Sequence, residues 1–376
     1  MRMLEEVLQD VRIKTRIQPA GIVDGPYGAW LLDHFRYWNS SSDLIRDKLH
    51  GKMNQMTRSF NDSPHFDYSL GYGITGFLWV MNRLVSDPVI YRKIISYDTL
   101  MPEIEAECTR LILDDHYDLF RGANGLMMYL MSVNTLSPKL YDLYIESLLN
   151  RLTHSGDLIK FSGMTQHGIE EDGINLGVPH GVCGCLFTIA RLYEFRKHPR
   201  CLELLENAIP YYILKRKEHP NGKYRFTYSD HAESKVAPLG WCYGDLIAGL
   251  CITRVGKMLD NPVFTKKGIE ILDSTLDRND YSTGDLSLCH GSISAAYIYH
   301  KAWLLTRLER YLERREVWKR KTKDLVKALE TNRAFSDAKI DSRKRDSLVF
   351  GYTGTLLAWR TMKGANSVEW DEWMML

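Results

Sequence analysis

Absences narrow the reading of these 376 residues before any motif does. No apolar run approaches the roughly 20 residues that span a bilayer. The start, MRMLEEVLQD, carries two glutamates and an aspartate where a secretory signal needs an apolar stretch. A cytoplasmic protein is expected, one that meets a membrane only peripherally and through partners. An excess of charge is missing as well: 49 Lys plus Arg stand against 47 Asp plus Glu, which gives no general reason to expect nucleic acid as a partner. Strand alternation is scarce, and only the region near 221–229 reads as a short β-hairpin arm. The seven cysteines contain no C-x-x-C pair, so the close ligand pairs of a structural zinc site are absent. In a reducing compartment these thiols are expected as core residues, metal ligands or nucleophiles rather than as disulfides.

What is there is a repeat. Paired glycines precede apolar helical runs as GPYG at 25–28, GITG at 73–76, GANG at 122–125, GVCG at 181–184 and GYTG at 351–354. Degenerate copies start at Gly244 and Gly291 and make seven, spaced 48, 49, 59, 63, 47 and 60 residues apart. That period suits one helical hairpin per repeat. After Gly76, the residues Phe77, Leu78, Val80, Met81 and Leu84 form a helical apolar face, and the run from Val89 to Leu113 carries the chain back. The expectation is an all-α fold and a single domain over 1–376, each repeat supplying an inner helix that starts at its glycines and an outer helix. Seven helix starts around one centre need the close backbone approach that glycine permits, and their positive ends favour anions there. GYGITG at 71–76 also matches a dinucleotide fingerprint, but no apolar strand precedes it and the other repeats show only G-x-x-G.

The chemistry lies at the helix starts. LSLCHGSIS at 286–294 sets Cys289 beside His290, and GWCYGD in the preceding repeat sets Cys242 two residues before Gly244, as Cys289 is two before Gly291. Equivalent positions put both sulfurs at the same centre. Three zinc ligands would leave one coordination position open, the mark of a catalytic metal, whereas core packing is the other use of such cysteines. A rival set, His180, Cys183 and Cys185, converges poorly because on a helix Cys185 points away from the other two. His180, one residue before Gly181, reads instead as an acid/base group beside the metal. Asp118, four residues before Gly122, is placed to orient that imidazole, or else to cap a turn. Tyr243 is a hydrogen-bond donor for a developing oxyanion, or a packing residue. Cys108, Cys201 and Cys251 read as core.

Taken together, NLGVPHG, GWCYGD, LCHG and the seven glycine starts, running from Gly25 to Gly354, resemble the lanthionine synthetase C-like family of lanthipeptide cyclases. The resemblance implies an α/α toroid of seven inner and seven outer helices around one zinc ion, with Cys242, Cys289 and His290 as ligands and His180, Asp118 and Tyr243 as catalytic residues. WCYGD is closer to the bacterial cyclases than to glutathione-binding eukaryotic relatives, where histidine commonly replaces that tyrosine. Two departures stand out: Pro238 sits where many cyclases carry arginine, and Ile247 and Ser294 replace the second glycine of the fifth and sixth repeats.

The implied reaction is Michael-type addition of a precursor-peptide cysteine to dehydroalanine or dehydrobutyrine, forming a thioether ring. Metal coordination supplies the thiolate, and His180 protonates the enolate with Tyr243 or Asp118 assisting. The implied partners are a dehydrated precursor with leader and core, a dehydratase and an export transporter. The competing reading is a non-catalytic zinc protein that binds glutathione or cysteine-containing peptides. A toroidal glycosidase or terpenoid cyclase would instead need paired carboxylates at the centre. The basic stretch 307–327 reads as a solvated outer helix, with docking of an acidic leader or of the dehydratase as its alternative use.

Overall fold

In a computed structural model, the described residues are 21–23, 28, 31–32, 51, 67–84, 97–151, 153–155, 158–160, 173–220, 222–279, 285–331, 347–364 and 370–376. Gly25, the acidic start at 1–10 and residues 89–96 of the second helical run lie outside them.

Inner helices begin at the glycines, as the repeat requires. They are α1 (Ile74–Leu84), α3 (Ala123–Ser132), α5 (Val182–Arg196), α7 (Asp245–Met258), α9 (Ser292–Thr306) and α11 (Tyr352–Thr361). Outer helices alternate with them as α2 (Tyr97–Leu113), α4 (Pro138–Arg151), α6 (Pro199–Leu214), α8 (Pro262–Asp273) and α10 (Glu309–Thr331). The two sets bury themselves differently. On α4 the buried residues Leu140, Tyr141, Tyr144, Ile145 and Leu148 form one stripe, the pattern of a helix with one wet side. On α3 every residue from Ala123 to Leu130 is buried. The first two turns of the inner helices are thus enclosed on all faces, where a single apolar face was expected at α1. α8 shows how an outer helix starts: the Asn261 side chain accepts the amides of Val263 and Phe264 at 3.0 and 3.1 Å, and Pro262 fills the first turn.

A circuit of hydrogen bonds between successive loops closes the ring. Val23 N–H donates to the Gly71 carbonyl at 2.8 Å, Gly71 to Phe120 at 2.7 Å, Leu119 to Pro179 at 2.7 Å and Val178 to Cys242 at 2.9 Å. Trp241 then donates to Cys289 at 2.8 Å and Cys289 to Val349 at 3.1 Å. The Ser347 hydroxyl returns to the Val23 carbonyl at 2.5 Å. Seven links join seven loops, and the chain is an α/α toroid of helical hairpins with an inner and an outer helix ring. Backbone approach at these starts is close: a Cβ added to Gly184 would strike the Val178 carbonyl. Repeat five departs from the pattern at both glycine positions, since Gly244 has φ +94° while Ile247 stands where the second glycine would. That left-handed φ makes Gly244 the start least tolerant of a side chain on conformational grounds.

Residues 370–376 fill the inside of the ring. Trp373 packs against Phe120 and Trp241, each with ring centroids 6.2 Å away, and Trp241 Nε1 donates to the Met374 carbonyl at 2.7 Å. Strand structure is slight: Thr153–Ser155 (β1) pairs with Leu158–Lys160 (β2), and Lys217–Glu218 (β3) pairs with Tyr224–Arg225 (β4) across Gly222. The second hairpin overlaps the expected arm. No helix among the described residues is long and apolar enough to cross a membrane.

Candidate metal centre

Cys242 and Cys289 each lie two residues before the glycine that caps the following inner helix, so the loop circuit brings them together. Their Cα atoms are 5.6 Å apart and their sulfurs are joined as a disulfide. The ligand atoms of Cys242, Cys289 and His290 all lie within 4.8 Å of one another, and no other such group of three is found among the described residues. A tetrahedral ion with bonds of about 2.0–2.3 Å holds its ligand atoms roughly 3.5–3.8 Å apart, so this trio in reduced form matches the span of one ion. Two sulfurs at the positive ends of α7 and α9 are also in a field that favours thiolate.

His290 carries a second interaction suited to a ligand. Its Nε2 faces Asp285 Oδ2 at 2.8 Å, which leaves Nδ1 as the nitrogen with a lone pair for a metal. Asp285 is itself fixed, because the Ser287 amide donates to Oδ1 at 2.6 Å and the Ser287 hydroxyl to Oδ2 at 3.0 Å. Burial pushes the Asp285 carboxyl up, but the hydrogen bonds from His290 and Ser287 outweigh it and hold the group below its ordinary value. With a side chain 40% exposed, His290 marks the open side of the trio.

His180 and Asp118 meet across two loops. Asp118 Oδ1 accepts the amides of Phe120 and Arg121 at 2.7 and 2.8 Å, and its Oδ2 pairs with His180 Nδ1. One oxygen thus performs the turn-capping that the sequence allowed, while the other orients the imidazole. The His180 loop is tied to the metal loop by the Val178–Cys242 backbone bond at 2.9 Å. Phe120 packs edge-on against His180 at 5.5 Å and lies 5.8 Å from Trp241. Tyr243 OH accepts from Asn175 Nδ2 at 2.9 Å, an interaction that leaves its proton as a donor, and its ring meets Tyr228 edge-on at 5.0 Å. Asn175 was not singled out from the sequence.

The rival set does not assemble. Cys183 and Cys185 are fully buried, and Cys185 accepts from Asn124 Nδ2 at 3.3 Å. Burial pushes the Cys185 thiol up to about 12 and the Cys201 thiol to about 11 and raises Cys108, while a hydrogen bond with Cys183, and then burial, raise Cys251. These are core thiols. Near Pro238, a buried guanidinium has a structural role instead: Arg278 donates to Asp245 Oδ2 at 2.7 Å and to the Ala237 carbonyl at 2.8 Å.

Known proteins resemble this chain to differing extents. The solved structure of a nisin cyclase superposes with a TM-score of 0.77, covering 100% of this chain and 96% of the other at 17% identity. The nisin biosynthesis protein NisC of Lactococcus lactis subsp. lactis is 25% identical over 195 residues. That match spans about half of each protein, 46% in both cases. A family model described as lanthionine synthetase C-like protein matches residues 34–375, which include the trio, His180, Asp118 and Tyr243, and the chain belongs to that family.

Proposed function

We propose that this chain is a zinc-dependent lanthipeptide cyclase that adds a peptide cysteine to dehydroalanine or dehydrobutyrine. The observation that carries the reading is the convergence of Cys242, Cys289 and His290, from two successive repeats, within 4.8 Å. Soft thiolate and imidazole donors suit zinc. When bound there, zinc would supply a coordination position that holds a substrate thiol as thiolate at neutral pH.

The chain's own groups complete the chemistry. Sulfur bonds to the β-carbon of the dehydro residue, and the double-bond pair shifts toward the neighbouring carbonyl as an enolate. Tyr243 donates a hydrogen bond to that developing oxyanion. His180 delivers a proton to the α-carbon from Nε2, while Asp118 holds Nδ1 and stabilises the charged ring. The substrate thiol has released its proton, so the product has the mass of the reactants and one thiol fewer. Tyr228 and Phe350 are 38% and 39% exposed, with Tyr228 against Tyr243 and Phe350 next to the Val349 that receives the Cys289 amide. Both support contact with apolar side chains of a dehydrated precursor. Cytoplasmic action alongside a dehydratase and an exporter follows from the same reading.

The test uses reduced, zinc-loaded protein and a synthetic peptide holding one cysteine and one dehydroalanine. Loss of the free thiol at constant mass, abolished in Cys289→Ala, is expected. Peptide binding with its thiol retained would replace the cyclase reading with a thiol-binding one.

A further inference from the structure

Repeat register reveals a second constellation at the far end of the inner helices. Ten residues past the first glycine of their repeats stand Arg83, Arg191, Arg254 and Lys301, so four inner helices each present a cation at one level. Three of them engage the chain's terminal segment. Lys301 Nζ meets Asp371 Oδ2 at 2.5 Å, Arg191 Nη2 meets Glu372 Oε1 at 2.6 Å, and Arg83 pairs with Glu372 Oε2. Asp371 is further held by Tyr297 OH at 2.5 Å, and Arg191 also takes Glu194 at 2.7 Å. The carboxylates here are matched to these three cations.

Arg254 is the exception. Its guanidinium lies over the Phe187 ring at 5.0 Å and has no hydrogen-bond or ion-pair partner among the described residues. Burial, with the charge of Arg191, weakens its hold on its proton against the opposing charges of Asp371, Glu194 and Cys251. A half-buried cation with no direct ion pair is costly, and folded chains usually pair it. Arg254 also borders a cavity of about 370 Å³ whose walls carry Arg191 and Lys301 against Asp371 and Glu372, and an apolar side with Leu250, Leu304 and Leu305. Leu304 is one of the few large apolar side chains left exposed, at 39%. One guanidinium fork beside an apolar wall has the form of a site for one planar anion carrying an aliphatic body. The nearby carboxylates disfavour a multiply charged ligand.

We propose that this cavity binds a small monocarboxylate with an aliphatic tail, the carboxylate on Arg254 and the tail along Leu250, Leu304 and Leu305. It is separate from the metal trio and does not depend on the cyclase reading. Hexanoate is the probe, titrated calorimetrically and by Tm into the full chain in low-chloride buffer, with inorganic phosphate as the second arm. Wild type is expected to show saturable binding and a rise in Tm with hexanoate, and Arg254→Gln to weaken it at least about tenfold. Leu304→Glu places a carboxylate in the cavity, and is expected to raise Tm without ligand and to abolish the response to hexanoate. No saturable binding to wild type, or equal binding to Arg254→Gln, would overturn the site. Phosphate binding as tightly as hexanoate would overturn the assignment to an aliphatic carboxylate. Should Arg254→Gln not fold, the wild-type titration and Leu304→Glu decide alone.

Discussion

His290 turns its Nε2 to Asp285 Oδ2 at 2.8 Å, a contact that leaves Nδ1 as the nitrogen able to ligate a metal beside Cys242 and Cys289. Removing this carboxylate frees the ring to rotate and lowers the basicity of the ligand nitrogen. Asp285→Ala is therefore expected to reduce zinc affinity by about 10–100-fold. Competition against a chelator of known affinity measures it, and an unchanged constant would leave Asp285 as a turn residue only.

Asp118 makes a parallel prediction for turnover. Asn at this position keeps an oxygen for the amides of Phe120 and Arg121, but loses the charge that stabilises a protonated His180. Asp118→Asn is expected to lower kcat by roughly 10³-fold with zinc content unchanged. A matching fall in bound zinc would show that the substitution disturbs the metal loop instead.

The trio was legible in the sequence because Cys242 and Cys289 share one offset from their glycines. Asp285 was not, although the same register marks its place. Asp67, Asn175 and Asp285 all stand six residues before the first glycine, and each caps an amide two residues on, at 2.8, 2.9 and 2.6 Å. A capping role is visible in that pattern, but the contact of the second oxygen with His290 depends on how the loop folds back. The cations at Arg83, Arg191, Arg254 and Lys301 were open to the same register argument. Residues 370–376 lie outside the repeat, so nothing in its periodicity announced that Trp373 fills the ring or that Met374 receives Trp241. The first turns of the inner helices, enclosed on every side, likewise have no single apolar stripe to read.

Arg278 ties the loop that carries Cys242 to α7. Its guanidinium bonds to Asp245 and to the Ala237 carbonyl are buried, and Arg216 Nε meets the same carboxylate at 3.1 Å. Arg278→Ala leaves a buried carbonyl unsatisfied and half the charge compensation gone, so a loss of about 3 kcal/mol is expected in urea unfolding. A cost below about 1 kcal/mol would assign the cluster to the surface class.

His300 gives the fold an acid-sensitive point away from the metal. Burial, with Arg315, Lys301 and Lys319 around it and Glu316 opposing them, lowers its pKa from 6.5 to about 4. Arg315 Nη1 lies 3.1 Å from its Nδ1, a contact that suits the neutral ring, which also stacks on Trp303 at 6.0 Å. A histidine depressed in the folded state binds its proton more readily once unfolded. Its contribution is thus complete above about pH 6.5 and is lost as the pH falls toward 4. Over that window it amounts to roughly 3 kcal/mol. In His300→Gln the amide oxygen can still accept from Arg315 but does not titrate. The difference in unfolding free energy between wild type and variant is therefore expected to move by about that amount in favour of the variant between pH 7 and pH 4. Parallel profiles for the two proteins would mean that His300 is as accessible to protons in the fold as in the unfolded chain.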